Sequence, residues 1–188
     1  SDFYWKHLLE GFSSTRQVTW DLKGHGRSGS AHDLEACGIP DSADDLLRVM
    51  DAAGVEKAVL LGFSLGCQVI LEAWRAYPER IQALIPILGT YGQPFDSFLH
   101  PKIGAAAYRL FSKAAPRTGD VAMRVARRLS TNPFAHPANQ AFGMIGKGVK
   151  RQAMLPFYEH FGEIDGDTWA AMGIAAQRHT ARDLLDEI

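Results

Sequence analysis

The sequence predicts an α/β protein: a parallel sheet covered by helices in the first half, then a layer of helices. Three observations carry this expectation. Up to about Gly89, short β-prone or apolar runs alternate with stretches of helical periodicity. Beyond Gly89 no further convincing strand pattern occurs, and helical stretches follow one another. Between an apolar strand run and a helix run lies the corner Gly62-Phe63-Ser64-Leu65-Gly66.

The elements follow in order. Phe3, Trp5, Leu8, Leu9 and Phe12 place one apolar face on a helix spanning Asp2 to Phe12. Val18-Thr19-Trp20 is a short strand run, ended by Asp21 and the loop LKGHGRSGS. A helix starts at Asp41-Ser42 after Pro40, with Ser42 as its cap and Asp45 three residues on. Gly54 stops it. Ala58 to Leu61 and Ala83 to Leu88 read as buried parallel strands, although Pro86 removes a ladder donor from the second. Leu65 to Tyr77 reads as a helix closed by Pro78. Helices are then expected near Gly104–Ala114, Asp120–Ser130, Lys150–Phe161 and Asp167–Glu187, separated by Pro, Gly and Asn. A stretch of that length is no simple loop, so it forms a helical layer or cap. Repeats and low-complexity tracts are absent.

Composition narrows the class. A chain of 188 residues can bury a core without disulfide or metal staples, and two cysteines, Cys37 and Cys67, form no disulfide framework or metal spacing. Cys67, next to the corner, reads as a small buried hydrophobe. Apolar runs are far too short for a membrane span. Asp2, Lys6, His7 and Glu10 interrupt any signal-peptide core, so the expectation is a cytoplasmic protein with no membrane contact. Residues 101–180 carry eleven Lys and Arg against five acids. Without aromatic interleaving or a groove-reading motif, this excess reads as solvated helix faces, as with Arg124, Arg127 and Arg128, rather than as a nucleic-acid surface. A basic wall facing an anionic substrate is the sharper alternative. The run Gly24-His25-Gly26-Arg27-Ser28-Gly29 also fits a dinucleotide fingerprint, but a loop follows where that site needs a helix.

The chemistry concentrates at the corner. A serine on a sharp strand-to-helix turn has its Oγ thrust above the sheet edge, and Gly62 and Gly66 are expected where side chains would collide. The Leu65 amide, at the helix N-terminus, points where a tetrahedral oxyanion would form.

At this point the chain resembles the α/β-hydrolase superfamily, in its serine-nucleophile branch with a helical cap. GFSLG matches that family's nucleophile elbow, and DLKGHGRS, Asp21 to Ser28, resembles its D-x-x-G-H-G-x-S loop. DLLRVMDAAGVEKAVLLGFSLG matches the helix–Gly–strand approach to the elbow, and YPERIQALIPILGTYG the next strand. The resemblance implies Ser64 as nucleophile, the Leu65 amide as one oxyanion donor, and Phe63 lining the pocket. It implies no cofactor and a small-molecule, ester-like substrate, because Ser64 disfavours the branches that use a carboxylate nucleophile. It further implies a core over 1–92, a cap over 93–178, and a return toward the core over 179–188. Phe111, Phe134, Phe142, Met144, Phe157 and Trp169 would shape an apolar pocket or form the cap core. A non-catalytic ligand-binding protein on the same fold is the alternative.

Departures from the family pattern carry expectations too. Its His-Gly oxyanion segment has no counterpart, and none of His7, His25, His32, His100, His136, His160 and His179 lies where the catalytic histidine belongs. Asp96, just after the second strand, is the candidate acid within the chain. The chain then reads as the middle of a protein of roughly 250–300 residues, with its histidine elsewhere and inactive by itself. The family's strand between Val18–Trp20 and Ala58–Leu61 would lie upstream of Ser1, so the sheet is expected to show a gap or a non-family pairing.

Overall fold

The structure, a computed structural model, describes residues 5–98, 101–130, 132–141, 145–161 and 163–188. In chain order they form α1 (Lys6–Gly11), α2 (Ile39–Ala52), β1 (Ala58–Phe63), α3 (Gly66–Ala76), β2 (Ile81–Ile87), α4 (Pro94–Phe98), α5 (Pro101–Ser130), α6 (Ala135–Ala141), α7 (Arg151–Phe161) and α8 (Gly166–Arg178). The chain divides into two compact units. One comprises Ser1–Ser30 and Thr118–Trp169, the other Ala31–Arg117 and Ala170–Ile188.

The second unit holds the sheet. β1 and β2 pair in parallel, with Leu60 opposite Leu84 and Gly62 opposite Pro86. The connecting helix α3 packs on both strands, and α2 packs on α3. Ile39, Ala43, Leu46, Leu47 and Met50 of α2 are buried, as are Val69, Ile70 and Ala73 of α3 and Leu60 of β1. These positions recur every three or four residues on the helices, which is why a 3.6-residue period finds a core here. On the other face of β1, Val59 and Leu61 are 45% and 36% exposed, so the apolar run Ala58–Leu61 is buried on one face rather than two.

The two ends of α2 show how local chemistry sets a helix. It begins earlier than expected: Gly38 is the N-cap, and its N–H donates to Asp41 Oδ2 at 3.0 Å. Ser42 therefore lies inside the helix, its Oγ donating to Gly38 O at 3.0 Å. Pro40 is tolerated because it sits in the first turn, where its missing N–H costs nothing. At the other end the Gly54 N–H donates to Asp51 O and the Val55 N–H to Met50 O, with Gly54 at φ +63. This is a Schellman stop. Nothing lies within 4 Å of a Cβ built on Gly54, so Gly54→Ala meets only the left-handed backbone. Chemical denaturation should show a loss of about 1 kcal/mol.

Among the described residues the sheet has two strands, and Val18–Trp20 belongs to no ladder. The β-prone triplet stays irregular because strand propensity acts only where an edge is offered for pairing. Pro86 is accommodated within β2. The Ser64 N–H donates to Ile87 O at 3.0 Å, so odd-numbered residues of β2 face β1 with their backbone polar groups. The missing N–H of Pro86 then falls on the side away from β1, where no ladder bond is lost.

Past β2, Gly92 forms an antiparallel bridge with Thr180, and the Ala181 N–H donates to Tyr91 O at 2.8 Å. That pairing draws the backbone out of helical geometry. The expected helix Asp167–Glu187 therefore ends at Arg178 and resumes only as a 3-10 turn, Arg182–Asp186. Leu71, Ala181 and Leu184 form a small buried cluster backed by Trp74, Leu84 and Tyr91. Around it, the Arg75 guanidinium grips the Asp183 carboxylate and donates to Glu72 at 3.0 Å, holding the Asp183 carboxyl below the usual carboxylate range. His179 Nε2 lies 2.9 Å from the same Glu72.

The first unit holds α1, within the expected helix Asp2–Phe12; residues 1–4 of that expectation lie outside the described residues. Its loop Asp21–Gly29 is organised by Asp21, whose Oδ2 accepts from the Arg27 N–H at 3.1 Å and whose carbonyl accepts from Ser28 Oγ at 2.6 Å. No helix opens at Gly29, so the dinucleotide reading lacks the element it needs. The two expected helices Gly104–Ala114 and Asp120–Ser130 are one, α5, with the exposed Pro116 inside it. Gly119 does not break it, because its bareness serves packing: a Cβ there would strike the Gly166 carbonyl. In the C-terminal part of α5 Gly119 and Met123 are buried, while Val121, Arg124, Val125, Arg127 and Arg128 are exposed. His136, on α6, is buried with Nε2 2.9 Å from Val149 O and Nδ1 3.3 Å from Tyr158 Oη.

His25 and His160 meet in the same unit, ring centroids 5.9 Å apart. Burial holds both imidazoles below their ordinary value, against a weaker pull from Asp21. Groups depressed in the folded state take up protons first when unfolded, so stability is full above about pH 6.5 and falls as pH drops through it. Thermal melts between pH 8 and pH 5 should show that loss, and His160→Phe should flatten it.

Candidate active site

The sheet unit places Ser64 where strand becomes helix. β1 ends at Phe63, α3 begins at Gly66 with Leu65 as N-cap, and Ser64 bridges them at φ +53. A left-handed serine costs roughly 1–2 kcal/mol and must be held by its surroundings. Here the Ser64 N–H donates to Ile87 O and its carbonyl accepts the Cys67 N–H, both at 3.0 Å. Two glycines let the backbones close up. A Cβ on Gly62 would enter the Gly66 carbonyl, and one on Gly89 would strike Ser64 O and Cys67 Sγ. Gly66 differs from the expectation: nothing lies within 4 Å of a Cβ there, because it opens toward space at the first turn of α3.

This geometry leaves the Ser64 side chain exposed, with no hydrogen-bond partner among the described residues. The Leu65 N–H likewise makes no hydrogen bond among them, and it stands at the positive end of the α3 dipole. An exposed hydroxyl beside an open amide at a helix N-terminus can attack a carbonyl and receive the resulting negative charge on its oxygen. Phe63 is half-buried at the end of β1.

Asp96 stands in α4, where Oδ2 accepts from Gln177 Nε2 at 2.7 Å. The same Gln177 accepts the Phe95 N–H through Oε1, so this pair fixes the start of α4 to α8. Among the described histidines none hydrogen-bonds Ser64 or Asp96; His100 lies outside the described residues. Of the aromatic pocket set, Phe111 packs against Phe95, Phe157 meets Tyr158 edge-on, Trp169 is half-buried, and Phe134 is 80% exposed. Phe142 and Met144 lie outside the described residues. Among the described residues no cluster of His, Cys, Asp or Glu could hold a metal ion.

Two buried groups beside the elbow carry no periodicity signal that would mark them. Gln68 is 1% exposed, and its Oε1 has no partner among the described residues. Cys67, also 1% exposed, directs Sγ at Gly62 O (3.1 Å) and Ile87 O (3.5 Å), and burial pushes its thiol pKa up. Only the position of Cys67 three residues after Ser64 hinted at its surroundings.

A parallel pair joined through a positive-φ serine corner and a covering helix defines the class: an α/β-hydrolase core. The profile of the alpha/beta hydrolase fold family matches residues 1–107, and the chain belongs to that family. It is 37% identical over 87 residues to a protein of Azorhizobium caulinodans provisionally named carbamate hydrolase RutD, covering 46% of this chain and 32% of that one. It is 30% identical over 102 residues to mouse epoxide hydrolase 4, covering 53% and 28%. A crystal structure of a hydrolase from Pseudomonas aeruginosa PA01 superposes with a TM-score of 0.71 at 22% identity, over 98% of this chain and 63% of that one. The chain thus matches about a third of the length of its curated relatives.

Proposed function

We propose that the chain carries the nucleophile of a cofactor-free serine hydrolase acting on a small ester-like substrate: an ester, a lactone or a related acyl compound. Ser64 Oγ attacks the carbonyl carbon, and the Leu65 N–H donates to the oxygen that gains negative charge. The observation that carries this reading is Ser64 itself, exposed on a positive-φ corner between β1 and α3. The relative named a carbamate hydrolase supports an acyl substrate. The relative named an epoxide hydrolase is the less apt guide, since a serine occupies the nucleophile position here.

The general base and the carboxylate that orients it are assigned to the remainder of the whole protein, with Asp96 as the candidate acid in this chain. On this reading the 188 residues alone are inactive, because without a base Ser64 is a weak nucleophile. A cytoplasmic location belongs to the same reading and rests on two cysteines that form no disulfide. Among the described residues no helix is long and apolar enough to cross a membrane.

The test is hydrolysis of short aryl esters and lactones by the full-length protein with no metal or nucleotide added. Steady turnover is expected. A protein that binds such compounds without turning them over is instead a ligand-binding module, and this reading fails.

A further inference from the structure

The Cys67 side chain reaches all three backbone segments meeting at the elbow. It belongs to the first turn of α3, its thiol donates to the carbonyl of Gly62 on β1 at 3.1 Å, and the carbonyl of Ile87 on β2 lies 3.5 Å from the same sulfur. The Ile87 carbonyl is also the acceptor of the Ser64 N–H. Gly89 completes the contact, since any side chain there would occupy the place of Sγ. A thiol has one hydrogen, so Gly62 O takes the bond and Ile87 O shares it as a longer second acceptor. The residue is buried and its thiol stays protonated, which suits a donor and does not suit a nucleophile.

We propose that Cys67 is a positioning residue for Ser64: its thiol ties the end of β1 to the start of α3 beside Ile87 and so holds Ser64 in its left-handed turn. The proposal rests on the reading of Ser64 as nucleophile for its functional meaning, but its geometry is testable apart from any activity. An apolar side chain of similar size would fill the space and leave two carbonyls facing it. A hydroxyl would fill less of the space and keep the donor. A packing role and a positioning role therefore predict opposite orders for the alanine and serine variants.

The experiment uses the full-length protein, Cys67→Ala and Cys67→Ser, and reads three quantities. The first is the infrared S–H stretch of Cys67, assigned as the band lost in Cys67→Ala, which should lie below that of an unbonded thiol. The second is hydrogen exchange at the Ser64 amide, expected to quicken at least about tenfold in Cys67→Ala, and to return most of the way in Cys67→Ser, while the Ile70 amide in mid-helix changes little. The third is the rate of phosphonate labelling per folded molecule, which should fall in Cys67→Ala and recover in Cys67→Ser. An S–H stretch at the unbonded position, or Ser64 exchange unchanged in Cys67→Ala, overturns the proposal. So does a serine variant no better than alanine. If the wild-type protein takes no label while the first two measurements come out as stated, the reading of Ser64 as nucleophile fails and the Cys67 geometry stands.

Discussion

Replacing Ser64 with alanine in the full-length protein should lower kcat/KM on an ester by about 10⁴-fold or more and leave the melting temperature nearly unchanged. The loss is large because, in the proposed mechanism, Oγ is the atom that forms the new bond, and alanine has no atom that could replace it. The fold survives because the Ser64 side chain is exposed and its hydroxyl makes no hydrogen bond among the described residues. Ser64→Gly should be equally inactive yet more stable, by up to about 1 kcal/mol. Glycine adopts φ +53 without the steric penalty serine bears, although its freer unfolded chain takes back part of the gain. Steady-state kinetics with urea denaturation on the same two variants measures both effects. A serine whose loss cost stability but little activity would be a structural corner residue.

The largest stability effect is expected one turn away. Gly62→Ala puts a Cβ into the Gly66 carbonyl, and Gly89→Ala puts one against Ser64 O and Cys67 Sγ. These neighbours are chiefly backbone of the strand–helix junction, which cannot rotate aside as a side chain can. Each substitution should cost about 3 kcal/mol or more, enough to lower the melting temperature by many degrees or prevent folding. Gly66→Ala is the control. It has open space at its Cβ and sits in the first helical turn, where alanine is favoured over glycine, so it should be neutral or stabilising. The motif spells both glycines alike, and the geometry separates them. Comparable losses at Gly62 and Gly66 would contradict the packing described here.

That contrast shows what the sequence could convey about the fold. β1, α3 and β2 were legible because they form a contiguous βαβ unit whose period changes from strand to helix and back within thirty residues. The elbow was legible because its glycines and serine punctuate that change. Distant partners were not legible. The bridge between Gly92 and Thr180 breaks the helical pattern of the last residues, and nothing local to Thr180 announces it. Pro116 and Gly119 read as a helix break, but the helix continues because one faces solvent and the other meets Gly166. Val18–Trp20 has strand propensity without a strand to pair with among the described residues. At the site, Ser64 and the Leu65 amide come from neighbouring residues and could be read from the chain. The Asp96–Gln177 bond and the contact of the Cys67 thiol with Ile87 O join residues far apart in sequence, and no local pattern announces them.

The central claim, that Ser64 is a presented nucleophile, is tested most directly by locating a covalent adduct. The full-length protein is treated with a fluorophosphonate, digested with trypsin, and mapped by mass spectrometry. One phosphonyl group is expected on the peptide running from Ala58 to Arg75, at Ser64, with no adduct formed in Ser64→Ala. An adduct on another residue, or one that persists in Ser64→Ala, would contradict it.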